Sequence, residues 1–536
     1  MDIKSLIDAL GRPGAYGHPV ADVEIRQTHI SIVALAGHFV YKVKKSVDLG
    51  FLDFTTLDKR LHFCQEEVRL NRRLAPDVYL GVVPLVQSPS GELTVGGTGS
   101  PVEFAVKMRR LPDEATLRRR LEREQLDGAV MSELGRRIAL FHATAASGPH
   151  IDRYGCWDTV AQNARENIEQ SRAHVGTCVR ATVLDRLETV LEERLGALRP
   201  LIERRAASHV PRDTHGDLHL DHVYLFPDEP PPRDLIAIDC IEFNERFRYA
   251  DPVADMAFLA MDLYFLGRRD LAKPYVDAYF DASADAAGRP LLPFYVAYRS
   301  AVRAKVKGIV AAEPEVPAEV RREAIQRARG HWLLALSELE DPDRRPGLVL
   351  IGGLPGSGKS TLAERLGAEA GFEVVSSDRV RKSLAGLSPD ASARAAFGAG
   401  IYTAEWNRRT YAACFDQARA LLFQGKRVII DASFREARRR REGLEQALRM
   451  GVRGGFLGCV APPDTIRSRL GSRRGGASDA DWAIYQAAAD AWEEDDPPDP
   501  RFPGREVFSG GTREEAFAIA VAHLGDFGLR GKPHRR

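Results

Sequence analysis

Short apolar runs alternate with helical patterns in the second half of the chain. LVLIGG (348–353) is uninterrupted, while FEVVSSD (372–378) and VIID (428–431) each end in an aspartate. Continuous apolar runs of about 4–8 residues, each followed by a helical period, are typical of strands buried in a parallel sheet. The helix predicted before the third run repeats apolar residues on one face, at Tyr411, Cys414, Phe415, Ala418, Leu421 and Leu422. The pattern predicts an α/β domain with a parallel sheet.

The first half has a different pattern. FVYKVKK (39–45) is predicted to be a strand with two lysines on one face, and CQEEVRLNRRL (64–74) a helix. Farther on, VYLF (223–226) and LIAI (235–238) are short apolar runs joined by a proline-rich turn. Such runs pair as a hairpin, so the residues before the first strand and after the second are expected to lie side by side.

A cluster of Asp, Pro, Arg and Gly interrupts the pattern near residue 342. DPDRRPG (341–347) follows a helical period and precedes the apolar run at 348. Such clusters mark loops and linkers, and 536 residues are too many for one hydrophobic core. We expect one domain over residues 1–341, with an N-lobe ending at about residue 110, and a second domain over residues 342–536.

Composition narrows the class of protein. The chain is 44% hydrophobic and 28% charged, as in soluble globular proteins. Lys plus Arg number 76 and Asp plus Glu 75, so no global field attracts nucleic acid or an anionic membrane. The six cysteines are far apart and have no histidine at metal spacing, which argues against a disulfide framework or zinc site. Without a signal-like N-terminus or a long apolar span, we expect a cytoplasmic protein with no membrane partner.

The first apolar run leads into a phosphate-binding motif. Gly353-x-x-x-x-Gly358-Lys359-Ser360 lies between a predicted strand and a predicted helix. The glycines let backbone N–H groups surround a phosphate, Lys359 reaches the outer phosphates, and Ser360 suits magnesium. The predicted nucleotide-binding residues of this loop are Gly353, Gly356, Ser357, Gly358, Lys359, Ser360 and Thr361. The motif predicts binding of ATP with Mg²⁺.

Two aspartates end the next strands of this half. Asp378 is placed to orient or deprotonate an acceptor hydroxyl, or to cap the helix that follows. Asp431 is placed to accept from Ser360 or from water on magnesium. Lys359 and Asp378 are therefore candidate catalytic residues, and Ser360 and Asp431 are candidate metal ligands.

A stretch with four arginines follows, APPDTIRSRLGSRRG (461–475). Its Arg467, Arg469, Arg473 and Arg474 could belong to a mobile lid that closes over the transferring phosphoryl group, and Arg473 is the candidate nucleotide contact. The alternative is a solvated helix face.

From Leu348 onward, these residues resemble the P-loop kinases that include zeta toxins and the kinase part of polynucleotide kinases. The resemblance implies the roles given above for the lysine, the serine and the two aspartates. It leaves the acceptor open among nucleic-acid ends, nucleotide sugars and small metabolites. The basic run ARRRRE (437–442) is better explained as a helix surface than as a polyanion site, so a nucleic-acid end is not favoured.

The hairpin of the first half is preceded by THGDLHLDH (214–222). Pairing of its strands brings Asp217 and Asp239 to the same open end. Phosphoryl transfer needs one carboxylate near the acceptor hydroxyl and another on magnesium that bridges ATP phosphates. Glu242, close behind, either shares the metal or ends the turn.

A kinase-like site also needs a lysine on a strand and a glutamate on a facing helix. Lys42 and Glu67 are the predicted pair, with Lys44 and Glu66 as their alternatives. Each of these charges, taken alone, is equally consistent with an exposed surface position.

In this order, residues 1–340 resemble the aminoglycoside phosphotransferase-like, or kinase-like, superfamily, with HGDLH and the later aspartate carrying the match. The resemblance implies a small N-lobe that holds ATP, a larger C-lobe, Asp217 as catalytic base and Asp239 on magnesium. It also implies that Asp255 braces the catalytic loop, the alternative being a polar helix face.

Two features depart from that family. QTHISIVALAGH (27–38) has no Gly-x-Gly-x-x-Gly, which leaves Ser31 as a candidate phosphate contact. The family's metal-binding asparagine, five positions after the base, is His222 here, which makes His222 the candidate metal ligand at this position. Imidazole suits magnesium less well than an amide oxygen. Asp221 could supply an oxygen instead, the site could use one metal, or the His222 ring could bond the loop backbone.

The sequence thus predicts a bilobal protein-kinase-like domain followed by a three-layer α/β/α P-loop domain. The predicted function is transfer of the γ-phosphoryl group of ATP, with Mg²⁺, to hydroxyl acceptors of unknown identity. The alternative is a nucleotide-regulated interaction protein, with a catalytically weak kinase-like half and a P-loop half that senses ATP. His222 favours this alternative, whereas Asp217 and Asp239 argue against it.

Overall fold

The computed structural model describes residues 2–88, 92–388, 398–472, 481–494 and 499–531. The chain divides into two compact units. Unit 1 comprises Met1–Val160, Pro200–Asp262 and Lys273–Arg289, and unit 2 comprises Ala161–Arg199, Leu263–Ala272 and Pro290–Arg536. Each unit combines segments that are separated along the chain. This division therefore does not test the domain boundary near residue 342, which stays a prediction of the sequence.

A six-stranded antiparallel sheet forms the first part of unit 1. Its strands are β1 (Val23–Gln27), β2 (Ser31–Ala36), β3 (Phe39–Lys44), β4 (Tyr79–Gln87), β5 (Leu93–Val95) and β6 (Pro101–Arg109), in the order β1-β2-β3-β6-β4-β5. Helices α1 (Ile3–Leu10) and α2 (Leu57–Asn71) accompany it. The strand and helix predicted here are confirmed as β3 and α2. Helix α2 begins earlier than predicted because the Thr56 side chain caps it by accepting from the Lys59 amide.

Two short pairs of antiparallel strands lie in the middle part of unit 1. The strands are β7 (Arg212–Asp213), β8 (Val223–Leu225), β9 (Leu235–Ala237) and β10 (Tyr249–Ala250). Strands β8 and β9 are antiparallel, with Val223 opposite Ala237, which confirms the predicted hairpin. Strand β7 pairs with β10.

Helices make up most of the remaining chain before residue 290. They include α3 (Leu117–Glu122), α4 (Gly128–Thr144), α5 (Pro149–Gly155), α6 (Trp157–Glu169), α7 (Ala181–Ala207), α8 (Glu245–Arg248), α9 (Pro252–Phe265) and α10 (Arg269–Ser283). The division between the units falls inside α6, α7, α9 and α10.

Unit 2 contains a five-stranded parallel sheet. Its strands are β11 (Gly347–Gly353), β12 (Phe372–Ser376), β13 (Arg427–Asp431), β14 (Arg453–Val460) and β15 (Gly504–Phe508), in the order β12-β13-β11-β14-β15. Every residue of β11 and β13 is buried, which is why their sequences are continuously apolar rather than alternating. The three predicted strands and the parallel P-loop fold are confirmed.

Strand β14 was missed by the sequence analysis because it is rich in glycine. A Cβ added at Gly454 would lie 2.0 Å from the carbonyl oxygen of Leu348 in the neighbouring strand. A Cβ at Gly455 would lie 2.4 Å from the ring of Phe527. The close approach of these neighbours excludes the β-branched residues that usually signal a strand.

The helices from residue 290 onward belong to unit 2. They include α11 (Leu292–Ala312), α12 (Ala318–Leu339), α13 (Lys359–Ala370), α14 (Ser377–Leu384), α15 (Ala404–Phe423), α16 (Ala437–Arg449), α17 (Pro463–Ser472), α18 (Trp482–Asp490) and α19 (Arg513–Asp526). The predicted apolar stripe of α15 is buried except at Leu421, which is half-buried. Among the helices in the described ranges, none combines the length and apolar character needed to cross a bilayer.

A buried charge cluster ties α12 to the parallel sheet. Glu338 of α12 lies 2.6 Å from Arg269 and 3.0 Å from Arg453 of β14. Burial acts to raise the pKa of Glu338, but the arginines outweigh it and hold that pKa well below its usual range. Arg186 of α7 also donates to the carbonyl of Gly425, ahead of β13, at 2.8 Å. These contacts explain why helices that precede residue 342 belong to unit 2.

Candidate active sites

The loop between β7 and β8 carries the HGDLH motif and is held from the next helix. Gly216 has φ +86°, and a Cβ there would lie 2.9 Å from the carbonyl of Phe247, so the position requires glycine. Asp255, fully buried in the first turn of α9, accepts hydrogen bonds from the amides of His215 at 3.0 Å and Gly216 at 2.8 Å. Asp255 therefore braces this loop.

His215 links the loop to the segment that carries Asp239. Its Nε2 donates to the carbonyl of Ile238 at 3.0 Å, and its Nδ1 accepts from the amide of Asp217 at 3.3 Å. Burial lowers the pKa of His215 to about 4, so the ring is neutral and can use one nitrogen as donor and the other as acceptor. The sequence analysis did not assign this residue a role.

Lys42 lies between two carboxylates. Its Nζ is 2.9 Å from Glu67 of α2 and donates to Asp239 at 2.7 Å. Asp239 has φ +64°, a conformation uncommon outside glycine, and its amide donates to the hydroxyl of Tyr79 at 3.1 Å. Burial opposes ionisation of Asp239, but the charge of Lys42 outweighs it and keeps the pKa of the carboxyl below its usual range.

Lys44 forms a second, deeper pair on the same face of β3. Its Nζ donates to Glu67 at 2.8 Å and to Glu242, and all three side chains are buried. Burial raises the pKa of Glu242. Glu242 thus pairs with Lys44, while Glu66 pairs with Arg69 at the surface, 2.7 Å away.

The ring of His222 lies between the loop that carries Asp217 and the segment that carries Asp239. Its Nδ1 lies 2.9 Å from the carbonyl oxygen of Asp217, and since a carbonyl only accepts, Nδ1 carries the proton. Its Nε2 lies 3.5 Å from the carboxylate of Asp239. Burial and then His219 lower the pKa of His222 and favour the neutral ring. The unprotonated Nε2 and the neighbouring carboxylate oxygen are two ligand atoms that could bind the same cation.

His219 is a neighbour that the sequence analysis missed, although the histidine spacing of HGDLHLDH could have indicated it. Its ring centroid is 3.8 Å from that of His222, and its Nε2 is 3.4 Å from Asp217. One ligand atom from each of these three residues lies within 4.8 Å of the others. Asp221, the alternative oxygen donor, lies 3.4 Å from His219 and 3.5 Å from Arg118.

Ser31 is buried at the start of β2, with its side-chain oxygen lacking a hydrogen-bond partner in the part of the chain described. Its amide donates to the hydroxyl of Thr28, which forms the turn between β1 and β2. The role of Ser31 as a phosphate contact therefore stays a prediction of the sequence.

The phosphate-binding motif of unit 2 lies between β11 and α13, as predicted. Gly353, Gly356 and Gly358 all have positive φ, and a Cβ at Gly353 would lie 2.6 Å from the carbonyl of Cys459. Lys359 begins α13, with Ser360 and Thr361 in the same first turn. The loop borders a cavity of about 350 Å³ lined by Gly356, Gly358, Lys359, Ser360, Thr361 and Arg469 among others.

Asp431 ends β13 and is buried beside this loop. Burial raises the pKa of its carboxyl, while Lys359 and a hydrogen bond from Ser360 act in the opposite direction. Oδ1 of Asp431 and the hydroxyl of Ser357 are buried without hydrogen-bond partners in the described chain. Buried polar atoms of this kind normally have a partner, so the loop fits a phosphate and a hydrated Mg²⁺ ion.

Asp378 lies inside the first turn of α14 rather than at its N-cap, which is Ser376. Its carboxylate therefore does not cap the helix. Asp378 and Lys359 line the same cavity, of about 610 Å³.

The arginines of the predicted lid have different surroundings. Arg467 stacks over Trp482 at 4.2 Å, whereas Arg469 donates to the carbonyl of Ser509 at 2.6 Å and lines the cavity of the phosphate loop. Arg473 and Arg474 lie outside the described residues.

Comparison with protein families separates the same two regions. Residues 54–291 match the Phosphotransferase enzyme family, and residues 348–493 match the AAA domain family. Among solved structures, aminoglycoside 2′-phosphotransferase-IIIa is 15% identical, with a TM-score of 0.37, over 59% of this chain and 94% of its own. A gluconokinase from Sinorhizobium meliloti 1021 is 19% identical, with a TM-score of 0.26, over 34% of this chain and 95% of its own.

A curated relative extends over nearly the whole chain. The uncharacterized protein Rv2004c of Mycobacterium tuberculosis (strain ATCC 25618 / H37Rv) is 34% identical over 477 residues, which cover 88% of this chain and 91% of the relative. The chain therefore belongs to the same family as this mycobacterial protein, and it joins a kinase-like phosphotransferase domain to a P-loop kinase domain.

Proposed function

We propose that the protein is an ATP-dependent phosphotransferase with two active sites, each of which transfers the γ-phosphoryl group to a hydroxyl-bearing acceptor. The observation that carries the proposal is the position of Lys42, within 3 Å of both Glu67 and Asp239. This is a lysine–glutamate pair next to a carboxylate that suits a metal ion, assembled from three distant parts of the chain.

In the kinase-like half, each residue has a separate task. Lys42, oriented by Glu67, binds ATP phosphates, and Asp217 accepts the proton of the acceptor hydroxyl. Asp239 and His222 would hold a divalent cation, whose charge offsets that of the phosphates. His215 and Asp255 position the loop that carries Asp217.

In the P-loop half, the backbone of the glycine loop and Lys359 bind the phosphates. Ser360 and Asp431 would hold Mg²⁺, Thr361 stands beside them in the first turn of α13, and Asp378 receives the acceptor proton. Arg469 is the described arginine best placed to contact the nucleotide, because it lines the loop cavity.

The test uses the full chain with γ-labelled ATP, Mg²⁺ and a panel of sugars, aminoglycosides, nucleosides and nucleic-acid ends. We expect acceptor-dependent transfer, and we expect the double variant Asp239→Ala/Lys359→Ala to lose it. Asp228→Ala combined with Lys426→Ala provides a control, because both side chains are exposed. Transfer by the folded double variant at the wild-type rate would refute the proposal.

The second candidate function is a nucleotide-regulated interaction protein with a weak kinase-like half. The hydrogen bond from the His222 ring to the Asp217 carbonyl supports it, since a histidine that braces the loop needs no metal. The orientation of Nε2 toward Asp239 supports the active site instead.

Changing His222 to Asn distinguishes these functions. An amide oxygen suits a hard cation better than an imidazole nitrogen does, so in a working site we expect retained or higher turnover and a preference shifted from Mn²⁺ toward Mg²⁺. Steady-state rates with each metal, in a Lys359→Ala background, measure this shift. Loss of both activity and thermal stability indicates a bracing role, and absence of turnover before and after the change indicates a weak kinase-like half.

A further inference from the structure

The second cavity of the P-loop half, which we call the acceptor cavity, is lined by Lys359 and Asp378 and has a volume of about 610 Å³. Cavities of roughly 300–1,000 Å³ hold small molecules. Tyr402, Tyr411 and Trp492 also line it, so its wall combines charged and aromatic surfaces.

The side chains that line the acceptor cavity carry an excess of positive charge. Two carboxylates line it, Asp378 and Glu436, and they face six cationic side chains, which are those of Lys359, Arg381, Arg408, Arg435, Arg438 and Arg439. The whole chain, in contrast, is nearly neutral, with 76 basic and 75 acidic residues. The excess of positive charge is therefore a local property of this cavity.

Some of these cations are already neutralised by the protein. Arg438 lies 2.8 Å from Glu442, and Arg439 lies 2.6 Å from the same carboxylate. Arg435 lies 3.5 Å from Glu436. These three arginines belong to the start of α16 and to the segment before it, and the carboxylates of Glu436 and Glu442 offset all but one of their charges.

Arg381 differs from them because it is buried and has no ion pair in the described chain. Its side chain lies one turn after Asp378 on α14, and the residue is only 6% exposed. One terminal nitrogen donates to the carbonyl of Ile401 at 2.8 Å, and the guanidinium lies 4.9 Å from the ring centre of Tyr402. Its Nε is buried without a hydrogen-bond partner among the described residues. A buried guanidinium without a counter-ion is costly.

Arg408 shares with Arg381 only its place at the cavity and the lack of an ion pair in the described part of the chain. It lies on α15 and lines the same cavity, and no ion pair to it occurs among the described residues. Because it is exposed, replacing it removes a charge with little effect on folding. A solvated helix face explains an exposed arginine, but it does not explain a buried one such as Arg381.

We propose that the acceptor of the P-loop half is a hydroxylated small molecule that carries a phosphate or carboxylate group, bound by Arg381 and Arg408. This inference rests on the proposed function, because the bound molecule is an acceptor only if the P-loop half transfers a phosphoryl group. The acceptor oxygen forms a bond to the γ-phosphorus as the bond to the ADP oxygen breaks, and the hydroxyl proton passes to Asp378. Arginine suits this anionic group because its fork of donors matches carboxylate and phosphate oxygens.

The first experiment measures anion binding without turnover. The full chain is saturated with AMP-PNP and Mg²⁺, which occupy the nucleotide sites, and is titrated with inorganic phosphate by calorimetry. We expect Arg381→Gln and Arg408→Gln each to weaken phosphate binding at least tenfold, and Arg381→Lys to weaken it less. Arg379→Gln is the matched control, since Arg379 lies on the same helix, is 64% exposed and pairs with Glu364.

Phosphate binding that is absent from the wild type, or unchanged in both Gln variants, overturns the inference. Should Arg381→Gln fail to fold, Arg408→Gln alone decides, because its side chain is exposed.

The second experiment identifies the chemistry of the anion, in an Asp239→Ala background that leaves only the P-loop half active. Labelled ATP is offered with matched pairs, glycerol 3-phosphate against glycerol and gluconate against glucitol, and with a 5′-hydroxyl oligonucleotide. Faster transfer to the charged member of a pair supports the inference and tells phosphate from carboxylate. Faster transfer to the neutral members, or to the oligonucleotide, overturns it.

The two experiments separate this inference from the proposed function. If phosphate binds through Arg381 and Arg408 but ATP turnover does not depend on Lys359, the proposed function fails and the anion site stands. If turnover depends on Lys359 but phosphate does not bind, the proposed function stands and the inference fails.

Discussion

Replacing Asp217 with Asn is expected to reduce phosphoryl transfer by the kinase-like half by about 10²–10⁴-fold, the usual contribution of a general base. The amide cannot accept the acceptor proton, whereas Lys42, Glu67 and Asp239 still bind the nucleotide phosphates. ATP affinity should therefore change little. Transfer is measured on the full chain with Lys359→Ala, so that the P-loop half is silent, and ATP affinity by calorimetry.

Asp228→Asn is the matched control for this change. Asp228 lies exposed in the turn between β8 and β9, so the same Asp-to-Asn exchange should leave both transfer and ATP affinity unaltered. If folded Asp217→Asn lost ATP affinity as severely as it lost transfer, Asp217 would be a nucleotide or metal ligand rather than a base.

Replacing Lys359 with Ala is expected to abolish turnover by the P-loop half, with a loss of at least about 10²-fold. The lysine is the cation that offsets charge on the outer phosphates as they transfer, and removal of one such preorganised contact typically costs about 10²–10³-fold. The measurement uses labelled ATP and the full chain carrying Asp239→Ala, so that the kinase-like half is silent.

Lys426→Ala serves as the control for the lysine. Lys426 is 51% exposed ahead of β13 and lies 3.8 Å from Glu373, so its loss should not affect turnover. Undiminished turnover in the folded Lys359→Ala protein would show that the glycine loop does not bind the transferred phosphate.

The sequence by itself determined the local features of both halves. The phosphate loop is recognisable because its strand, glycines, lysine and helix start are consecutive along the chain, with β11 and α13 on either side. The β8–β9 hairpin is recognisable because two short apolar runs are joined by a single proline-rich turn. From that pairing alone, Asp217 and Asp239 are expected at one end.

Strand β14 was not predicted because its residues are determined by contacts with residues that are distant in the sequence. The glycines of β14 are required by the carbonyl of Leu348 and the ring of Phe527, neither of which can be inferred from the strand itself. The parallel sheet as a class was predictable, since fully buried strands are continuously apolar. Strands β14 and β15 of this sheet were not predicted.

Only the tertiary structure decided the partners of the charged side chains. Glu67 and Glu66 are adjacent in sequence, but the phase of α2 against β3 buries Glu67 between Lys42 and Lys44 and leaves Glu66 with Arg69. Glu242 meets Lys44 from 198 positions away.

Two further features were decided in the same way. The acceptor cavity exists because α14, α15 and the segment after β13 come together around Lys359, and α12 joins unit 2 because Glu338 is buried with Arg269 and Arg453. Patterns of apolar and polar residues specify which face of an element is buried, since that depends on neighbours along the chain. Which charges meet across that buried face depends on how the elements pack, and packing is a property of the whole fold.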